Sequence, residues 1–194
     1  GANQIEIIIP RADENELERM KRIVSQSGSL EFRILANTID HKATIDAALK
    51  SPDRILYDAD GKIKARWVPI EQGREEDFGS DSRIALRTRP GKYGGEDVLE
   101  ALVVHDPFNV TGEYLEQARP GVDQTGRPCV NFLFDGKGGG LFAGLTGNNL
   151  PDETQDFQRR LGIIMNEALF SAPGIRSTIR ERGEISGGFT ADEV

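Results

Sequence analysis

The sequence predicts an α+β fold with two lobes, a base with a ferredoxin-like sheet and a smaller α+β head lobe. The start of the chain reads as strand, helix and strand, which suggests such a sheet. At Asp106 the strands of the base give way to a polar segment that introduces new elements. We therefore predict a base over residues 1–105, a head over residues 106–189, and the start of a return segment to the base over residues 190–194.

Composition and charge restrict the possible classes of function. The chain has 194 residues, of which 37% are hydrophobic, so a buried core is expected. The net charge of -8 disfavours a nucleic-acid surface, which needs clustered Lys and Arg. No apolar run is long enough to cross a bilayer, and the opening Gly-Ala-Asn-Gln does not read as a signal peptide. The lone Cys129 reads as a small buried hydrophobe.

The base begins with a predicted strand over residues 4–9, which Pro10 closes because it lacks a backbone donor. A helix follows from Asp13, since apolar residues recur at helical spacing, and Gly28 ends it. Residues 29–36 then alternate and predict a half-buried strand. The helical stripe consists of Leu17, Met20, Ile23 and Val24, and the strand directs Leu30, Phe32 and Ile34 to one side and Glu31 and Arg33 to the other.

One helix and four strands complete the predicted base. The helix covers residues 40–50 and carries Ile45 and Leu49 on one face. An Asp-Gly turn joins the first two of these strands, and Trp67 packs the second of them onto the sheet. The predicted strands cover residues 54–58, 62–68, 82–88 and 98–104, and a polar loop covers residues 71–82.

The head is predicted to begin with a helix capped by Thr111 and carrying Tyr114, Leu115 and Ala118. Residues 128–134 then read as a covered strand, because both of its sides are fairly apolar. A short helix over residues 141–145 and a polar loop over residues 146–158 follow. Along the strand, Val130, Phe132 and Phe134 alternate with Cys129, Asn131 and Leu133.

Two apolar runs near the end of the chain, residues 162–165 and 168–171, predict a β-hairpin with Asn166-Glu167 as its turn. The Pro173-Gly174 pair must stop the second strand, since proline lacks a donor and glycine tolerates positive φ. Beyond it, Ile175 and Ile179 have the spacing of one helical face, which predicts a helix over residues 175–182.

Several of these pieces, in this order, resemble a known family. The chain is similar to the first large extracytoplasmic domain of SecD, an accessory subunit of the bacterial protein-export channel. The resemblance covers residues 104–194 well and residues 4–36 moderately. The family's hairpin turn is usually Asp-Gly, and the polar loop before it is longer here. The matching motifs are Val110-Thr111-Gly112, Gly126-Arg127-Pro128-Cys129-Val130-Asn131-Phe132, Leu141-Phe142-Ala143-Gly144-Leu145-Thr146, Ser171-Ala172-Pro173 and Ile185-Ser186-Gly187-Gly188-Phe189.

The resemblance implies a domain on the periplasmic side of the bacterial inner membrane that binds emerging preprotein and assists export driven by the proton gradient. Its partners would be unfolded preprotein and, through the full-length protein, SecF and the SecYEG channel. Membrane association would come from transmembrane helices absent from this chain. The candidate preprotein contacts are the apolar residues Phe132, Phe134, Leu141, Phe142 and Leu145, and the candidate hinge residues are Val104, Phe108, Gly187 and Gly188.

Two other classes of function stay open. A soluble phosphate- or nucleotide-binding enzyme would use the loop that runs from Gly136 to Gly140. In a Walker loop Ser or Thr follows the Lys, whereas Gly138 follows Lys137 here, so a flexible connection is favoured. A purely structural spacer that docks on the channel is the third class. With only His41 and His105 as imidazoles, we assign no catalytic, cofactor or metal residues and predict that the chain is not an enzyme.

Overall fold

The computed structural model describes residues 5–10, 30–79, 81–91, 95–122, 128–180 and 182–188. Its strands are β1 (Ile5–Pro10), β2 (Leu30–Leu35), β3 (Ile55–Tyr57), β4 (Ile63–Pro69), β5 (Leu86–Arg89), β6 (Val98–Val104), β7 (Val110–Thr111), β8 (Leu115–Val122), β9 (Pro128–Phe134), β10 (Leu161–Met165), β11 (Ala168–Ser171) and β12 (Arg182–Gly188). Its helices are α1 (Lys42–Lys50), α2 (Glu76–Gly79) and α3 (Gly136–Gly147), with a 3₁₀ turn at Gly112–Tyr114. The α+β class predicted from the sequence is confirmed.

The larger sheet has the strand order β11-β10-β2-β6-β4-β3, and β5 and β7 add to β6 and β2. All of its strand pairs are antiparallel. The predicted alternation along β2 is confirmed, because Leu30, Phe32 and Ile34 are buried whereas Glu31 and Arg33 are half-buried. Successive side chains of a strand point to opposite faces, so the apolar set of β2 lies on one face of the sheet.

The smaller sheet has the order β1-β12-β9-β8. In it β1 runs parallel to β12, and the other pairs are antiparallel. The predicted first strand therefore pairs with β12 and not with β2, whose two edges are occupied by β10 and by β6 with β7. A ferredoxin-like base sheet is not confirmed, and the helix predicted from Asp13 lies outside the described residues.

Two apolar clusters cover the two faces of the larger sheet. One contains Phe32, Trp67 and Leu102 and extends into α3 and the smaller sheet. The other contains Val68, Val103 and further buried residues beneath α2. Trp67 is only 2% exposed, as expected for the residue that packs β4 onto the sheet. The first cluster therefore joins the two sheets into one core.

The helix α1 packs on the first cluster through Thr44, Ile45 and Ala48. The prediction that Leu49 shares the buried face is wrong, since its side chain is 53% exposed. Each residue of an α-helix is rotated by about 100° from the one before. With Ala48 turned toward the core, Leu49 therefore points to solvent.

The predicted helix through Tyr114 and Ala118 is also wrong. After the 3₁₀ turn the chain enters β8, which pairs with β9 along its length, and the Thr111 side chain makes no capping hydrogen bond. Pro120 and Gly121 lie inside this segment, and both residue types are poor in a helix interior. Pairing with β9 therefore outweighs the helical spacing of a few apolar residues.

Residues 175–180 do not form the predicted helix either, although Ile175 and Ile179 are both buried. The backbone N–H of Ile175 donates to the carbonyl of Arg159 at 2.8 Å. The N–H of Ile179 donates to the hydroxyl of Thr146 at 2.9 Å, and that hydroxyl donates to the carbonyl of Phe142. Partners elsewhere in the chain thus replace the hydrogen bonds of a helix, and the spacing reflects burial alone.

The hairpin of β10 and β11 is confirmed, and its turn residues Asn166 and Glu167 have φ of 50° and 65°. Two consecutive positive φ values are typical of the type I′ turn, which matches the twist of a hairpin. Both strands of this hairpin belong to the larger sheet, where β10 pairs with β2. Residues 161–171 of the predicted head are therefore hydrogen-bonded to the predicted base, and the division at residue 106 stays a prediction.

Candidate functional site

The predicted preprotein contacts belong largely to the core. Phe132, Phe134, Phe142 and Leu145 are at most 3% exposed, and Leu141 is half-buried. The ring of Phe142 lies 5.0 Å from that of Phe32 and 5.2 Å from that of Phe134, as is common for edge-to-face aromatic packing. Most of these side chains are withdrawn from the surface, so their contact with preprotein stays a prediction.

The glycine run after β9 is helical, and the prediction of a flexible connection is wrong. The Asp135 carboxylate caps α3 by accepting a hydrogen bond from the N–H of Gly138 at 2.6 Å. A Cβ on Gly138 would lie 2.4 Å from the Cβ of Tyr114, so only glycine lets the helix approach that closely. A carboxylate of the protein thus occupies the helix N-terminus, where a phosphate would otherwise bind. This geometry gives no support to a nucleotide-binding enzyme.

The predicted hinge residues lie in packed positions. Val104 is buried and pairs with Ile34 on one side and Ala65 on the other. Gly187 and Gly188 lie within β12, where they pair with β1. The ring of Phe108 fits against α3, since a Cβ on Gly144 would lie 2.4 Å from that ring. The structure leaves the hinge untested.

A polar cluster joins the turn before α1 to the loop before β10. The Arg159 guanidinium donates to both carboxylate oxygens of Asp40, at 2.8 and 2.9 Å, and these hydrogen bonds lower the pKa of Asp40. Next to it, Nδ1 of His41 accepts from the backbone N–H of Asn37 at 3.3 Å, and burial lowers the pKa of His41. His105 is exposed. Within the described ranges, no group of three or more His, Cys, Asp or Glu side chains is placed to hold a metal ion.

Replacing Arg159 with glutamine is expected to raise the pKa of Asp40 toward its ordinary value of 3.8, because the two charge-assisted hydrogen bonds are lost. A carboxyl group whose pKa is lowered by folding stabilises the folded state above its unfolded pKa, and loses that contribution as the pH falls through the folded pKa. The variant should therefore be less stable than the native chain at neutral pH, and the difference should shrink at acidic pH. NMR titration of Asp40 checks the shift, and Arg160→Gln, which alters the partner of Asp81 instead, should leave it unchanged.

A groove with a volume of about 330 Å³ lies on the smaller sheet. It crosses β8, β9 and β12. Its lining consists of Gln117, Arg119, Asn131, Phe132, Leu133, Arg182 and Gly183. We call it the β9 groove.

Strand register explains how this groove forms. Leu133 of β9 lies between Gln117 of β8 and Arg182 of β12, and Asn131 lies beside Arg119. The alternate residues of β9 point the other way, so Phe132 packs in the core while its neighbours face the groove. A Cβ on Gly183 would lie 2.0 Å from the Phe132 ring, so the glycine makes room for the ring beneath the groove.

The strand β8 forms an edge of the smaller sheet. In the part of the chain that the structure describes, it pairs with β9 and with no other strand. Along its outer side, backbone donors and acceptors therefore lack strand partners. Pro120 within it fits the preference of proline for edge strands. An extended polypeptide could pair there while its side chains enter the β9 groove.

The sequence predicted the part of the groove formed by β9 but not the part formed by β8. The alternation of β9 placed Asn131 and Leu133 opposite the phenylalanines. The residues from Tyr114 to Ala118 are predicted as a helix, and a helix would not place Gln117 beside Leu133. The Pro120-Gly121 pair is the signal that could have shown β8 to be extended.

Comparisons with known proteins agree on one family. A sequence model of "SecDF, P1 head subdomain" matches residues 89–194, just over half of the chain. SecD of Aquifex aeolicus, a protein translocase subunit, is 29% identical over 92% of this chain and 27% of its own length. SecD of Koribacter versatilis is 36% identical over 89% of this chain and 30% of its own length.

Solved structures give a weaker likeness. The structure of a membrane component SecDF that enhances protein export is 22% identical, with a TM-score of 0.42 over 90% of this chain and 62% of that one. The present chain spans about a third or less of the length of the curated relatives named above. Among the helices that the structure describes, none is long and apolar enough to span a bilayer. From the match over residues 89–194, the chain belongs to the SecD and SecDF family of protein-export subunits.

Proposed function

We propose that this chain is an extracytoplasmic domain of a Sec translocon accessory subunit, and that it binds emerging preprotein during export driven by the proton gradient. Membership of the SecD and SecDF family supports the role in export. The observation that carries the binding step is the open edge of β8 beside the β9 groove. The lining residues named above fall within the stretch that matches the head subdomain.

An edge strand suits a partner of variable sequence. An unfolded chain carries a backbone N–H and C=O at nearly every residue, and these groups pair with an edge strand whatever the side chains are. In the groove, half-buried Leu133 offers apolar contact. Such a surface holds an extended segment without requiring a fixed motif, as a carrier of many different clients must.

The full-length protein would supply what this chain lacks. We place the domain on the periplasmic side of the inner membrane, with transmembrane helices, SecF and the SecYEG channel contributed by or through the rest of that protein. In the proposed cycle the head swings relative to the base about the hinge residues given above. Val104 is held on both sides within the larger sheet, so at this junction the rotation would occur at residues 105–107, which lie between strands.

Site-specific photo-crosslinking tests the binding surface. A benzophenone side chain is introduced at Gln117, which is exposed in the β9 groove, or at Lys50, which is exposed at the end of α1. The probe is a soluble unfolded polypeptide rich in glycine, serine and leucine. We expect several-fold more crosslinked product from position 117, because an extended chain on the β8 edge would lie within reach of that side chain.

Equal yields at both positions would show contact by random collision and would contradict the proposed surface. Binding of ordered phosphate or nucleotide at α3 would instead favour the enzyme. If the full-length protein lost channel assembly but kept client binding after removal of the head, the spacer class would be favoured.

A further inference from the structure

We propose that the edge strand β3 is a self-association surface, on which β3 of a second copy of this chain pairs in antiparallel fashion. The two copies would be related by a twofold axis that passes beside Leu56. This surface lies on the larger sheet, so the proposal does not depend on the polypeptide-binding surface at β8 and the β9 groove.

An apolar patch surrounds β3. Within the described residues, five large hydrophobic side chains are exposed, and four of them lie on β3 or next to it in the chain or the sheet. Ile55 is 36% exposed, Tyr57 is 55% exposed, and its strand partner Ile63 is 43% exposed. Leu49, at the end of α1, is the fourth. Such residues are unremarkable when they occur singly, but a group of them marks an interaction surface.

The backbone of β3 is open along the same edge. In the described parts of the chain, β3 pairs with β4 and with no other strand. The carbonyl of Arg54 accepts from the N–H of Trp67 in β4, and the N–H of Asp58 donates across the turn that leads to β4. Backbone groups of successive residues point to opposite sides of a strand, so Ile55 and Tyr57 direct theirs away from β4. These groups form a template for a further strand.

Pairing about Leu56 places complementary residues opposite each other. Ile55 of one copy would face Tyr57 of the other, and a β-branched residue opposite an aromatic one is a favourable cross-strand pair. The same two residues carry the outward backbone groups, so each such pair would exchange both of its hydrogen bonds. Arg54 would face Asp58 of the second copy, and both are exposed. Opposite charges therefore flank an apolar centre.

The charged groups of this pair have capacity for a second partner. Arg54 lies 3.5 Å from buried Glu100, which already accepts hydrogen bonds from Arg87 and Arg89. Its guanidinium has five N–H donors and one shared acceptor there, so donors are left for another carboxylate. In the described chain, the turn hydrogen bonds of Asp58 go to Oδ1, which leaves Oδ2 for the arginine of the second copy.

Neighbouring registers are less favourable. A twofold axis beside Ile55 would place Tyr57 opposite Asp53, and an axis beside Tyr57 would place Leu56 opposite Asp58. Each of these registers sets an apolar side chain against a carboxylate, whereas the register about Leu56 does not. Because the paired stretch is short, the dimer should be weak, at the low end of the size range of specific interfaces.

Sedimentation velocity from low micromolar to millimolar concentration tests the association. We expect the sedimentation coefficient of the native chain to rise with concentration from that of a monomer toward that of a dimer. Tyr57→Lys should weaken association by about tenfold or more, because it removes the aromatic contact and places a charge at the edge. Leu150→Lys is the matched control, since Leu150 is 39% exposed in the loop before β10 and should leave association unchanged.

Cysteine crosslinking tests the register. Leu56→Cys should form a disulfide-linked dimer on mild oxidation, because residue 56 alone faces its own copy, in a pair whose side chains approach closely. Ile55→Cys and Tyr57→Cys should each give several-fold less, and the native chain shows what Cys129 contributes.

A sedimentation coefficient that stays constant, or a dimer that Tyr57→Lys leaves intact, would overturn the proposal. Equal crosslinking from positions 55, 56 and 57 would overturn the pairing about Leu56. If an unfolded polypeptide bound the native chain but not Tyr57→Lys, and the native chain stayed monomeric, the edge would belong to a client and not to a second copy.

Discussion

Replacement of Phe142 by alanine should lower the free energy of unfolding by about 3–5 kcal/mol, as for other fully buried aromatic residues. The side chain is 0% exposed, and its ring packs against Phe32 of the larger sheet and Phe134 of the smaller one. Its removal leaves a cavity where α3 and the two sheets meet. The surrounding elements cannot close that cavity without moving one sheet relative to the other. Urea unfolding followed by circular dichroism measures the loss.

The neighbouring position provides the control. Leu141 is half-buried on the same helix, so Leu141→Ala should cost clearly less than Phe142→Ala. The conservative change Phe142→Leu should fall between the two, because it keeps most of the apolar volume. A loss below about 1 kcal/mol for Phe142→Ala would contradict a packed aromatic junction between the sheets.

Replacement of Glu100 by alanine should also destabilise the fold by about 3–5 kcal/mol. The Glu100 carboxylate is fully buried and accepts hydrogen bonds from Arg87 at 2.8 Å and Arg89 at 3.0 Å, and Arg54 lies 3.5 Å away. Without it, three guanidinium groups face one another with no counter-charge. Arg87 is only 13% exposed and stacks over the Trp67 ring, so it cannot turn fully into water.

An exposed acidic residue provides the control, because replacing it also removes one negative charge but leaves the buried cluster intact. Asp46 pairs with Lys42 at 3.5 Å, and both side chains are more than half exposed. Asp46→Ala should therefore cost about 0.5 kcal/mol or less. Glu100→Gln should lie between the two alanine variants, since it keeps the shape and one acceptor. Equal losses for Glu100→Ala and Asp46→Ala in thermal and urea unfolding would refute a structural role for the buried cluster.

The sequence alone predicted those elements that are determined by a few neighbouring residues. The alternation of β2 and the hairpin at Asn166-Glu167 follow from burial on one face and from turn geometry, and each can be recognised within a few residues. Pairing between strands that are far apart in the sequence leaves no such local pattern. Nothing near residues 5–10 indicates that β1 joins β12, and the four-residue spacing of Ile175 and Ile179 cannot distinguish a helix from an irregular buried segment.

The candidate site was predicted only in part, for the same physical reason. The strand β9 shows its two faces in its own sequence, but the groove needs Arg119 from β8 and Arg182 from β12. Which residues stand beside Asn131 and Leu133 depends on register, and register is set by pairing across the sheet. The phenylalanines, predicted as contacts for their apolar character, belong to the core cluster, and their contact with preprotein stays a prediction.

The glycine content of α3 limits how the proposed head could move. Six of its twelve residues are glycine, and each of the four in the helix interior costs about 1 kcal/mol relative to alanine, so the helix loses roughly 4 kcal/mol of intrinsic stability. It survives because Tyr114 and Phe108 press against backbone that carries no side chain. Without the contacts to Tyr114 and Phe108, α3 would unfold. The helix therefore cannot move independently, and any rotation of the proposed head has to move Phe108, Tyr114 and α3 as one rigid body.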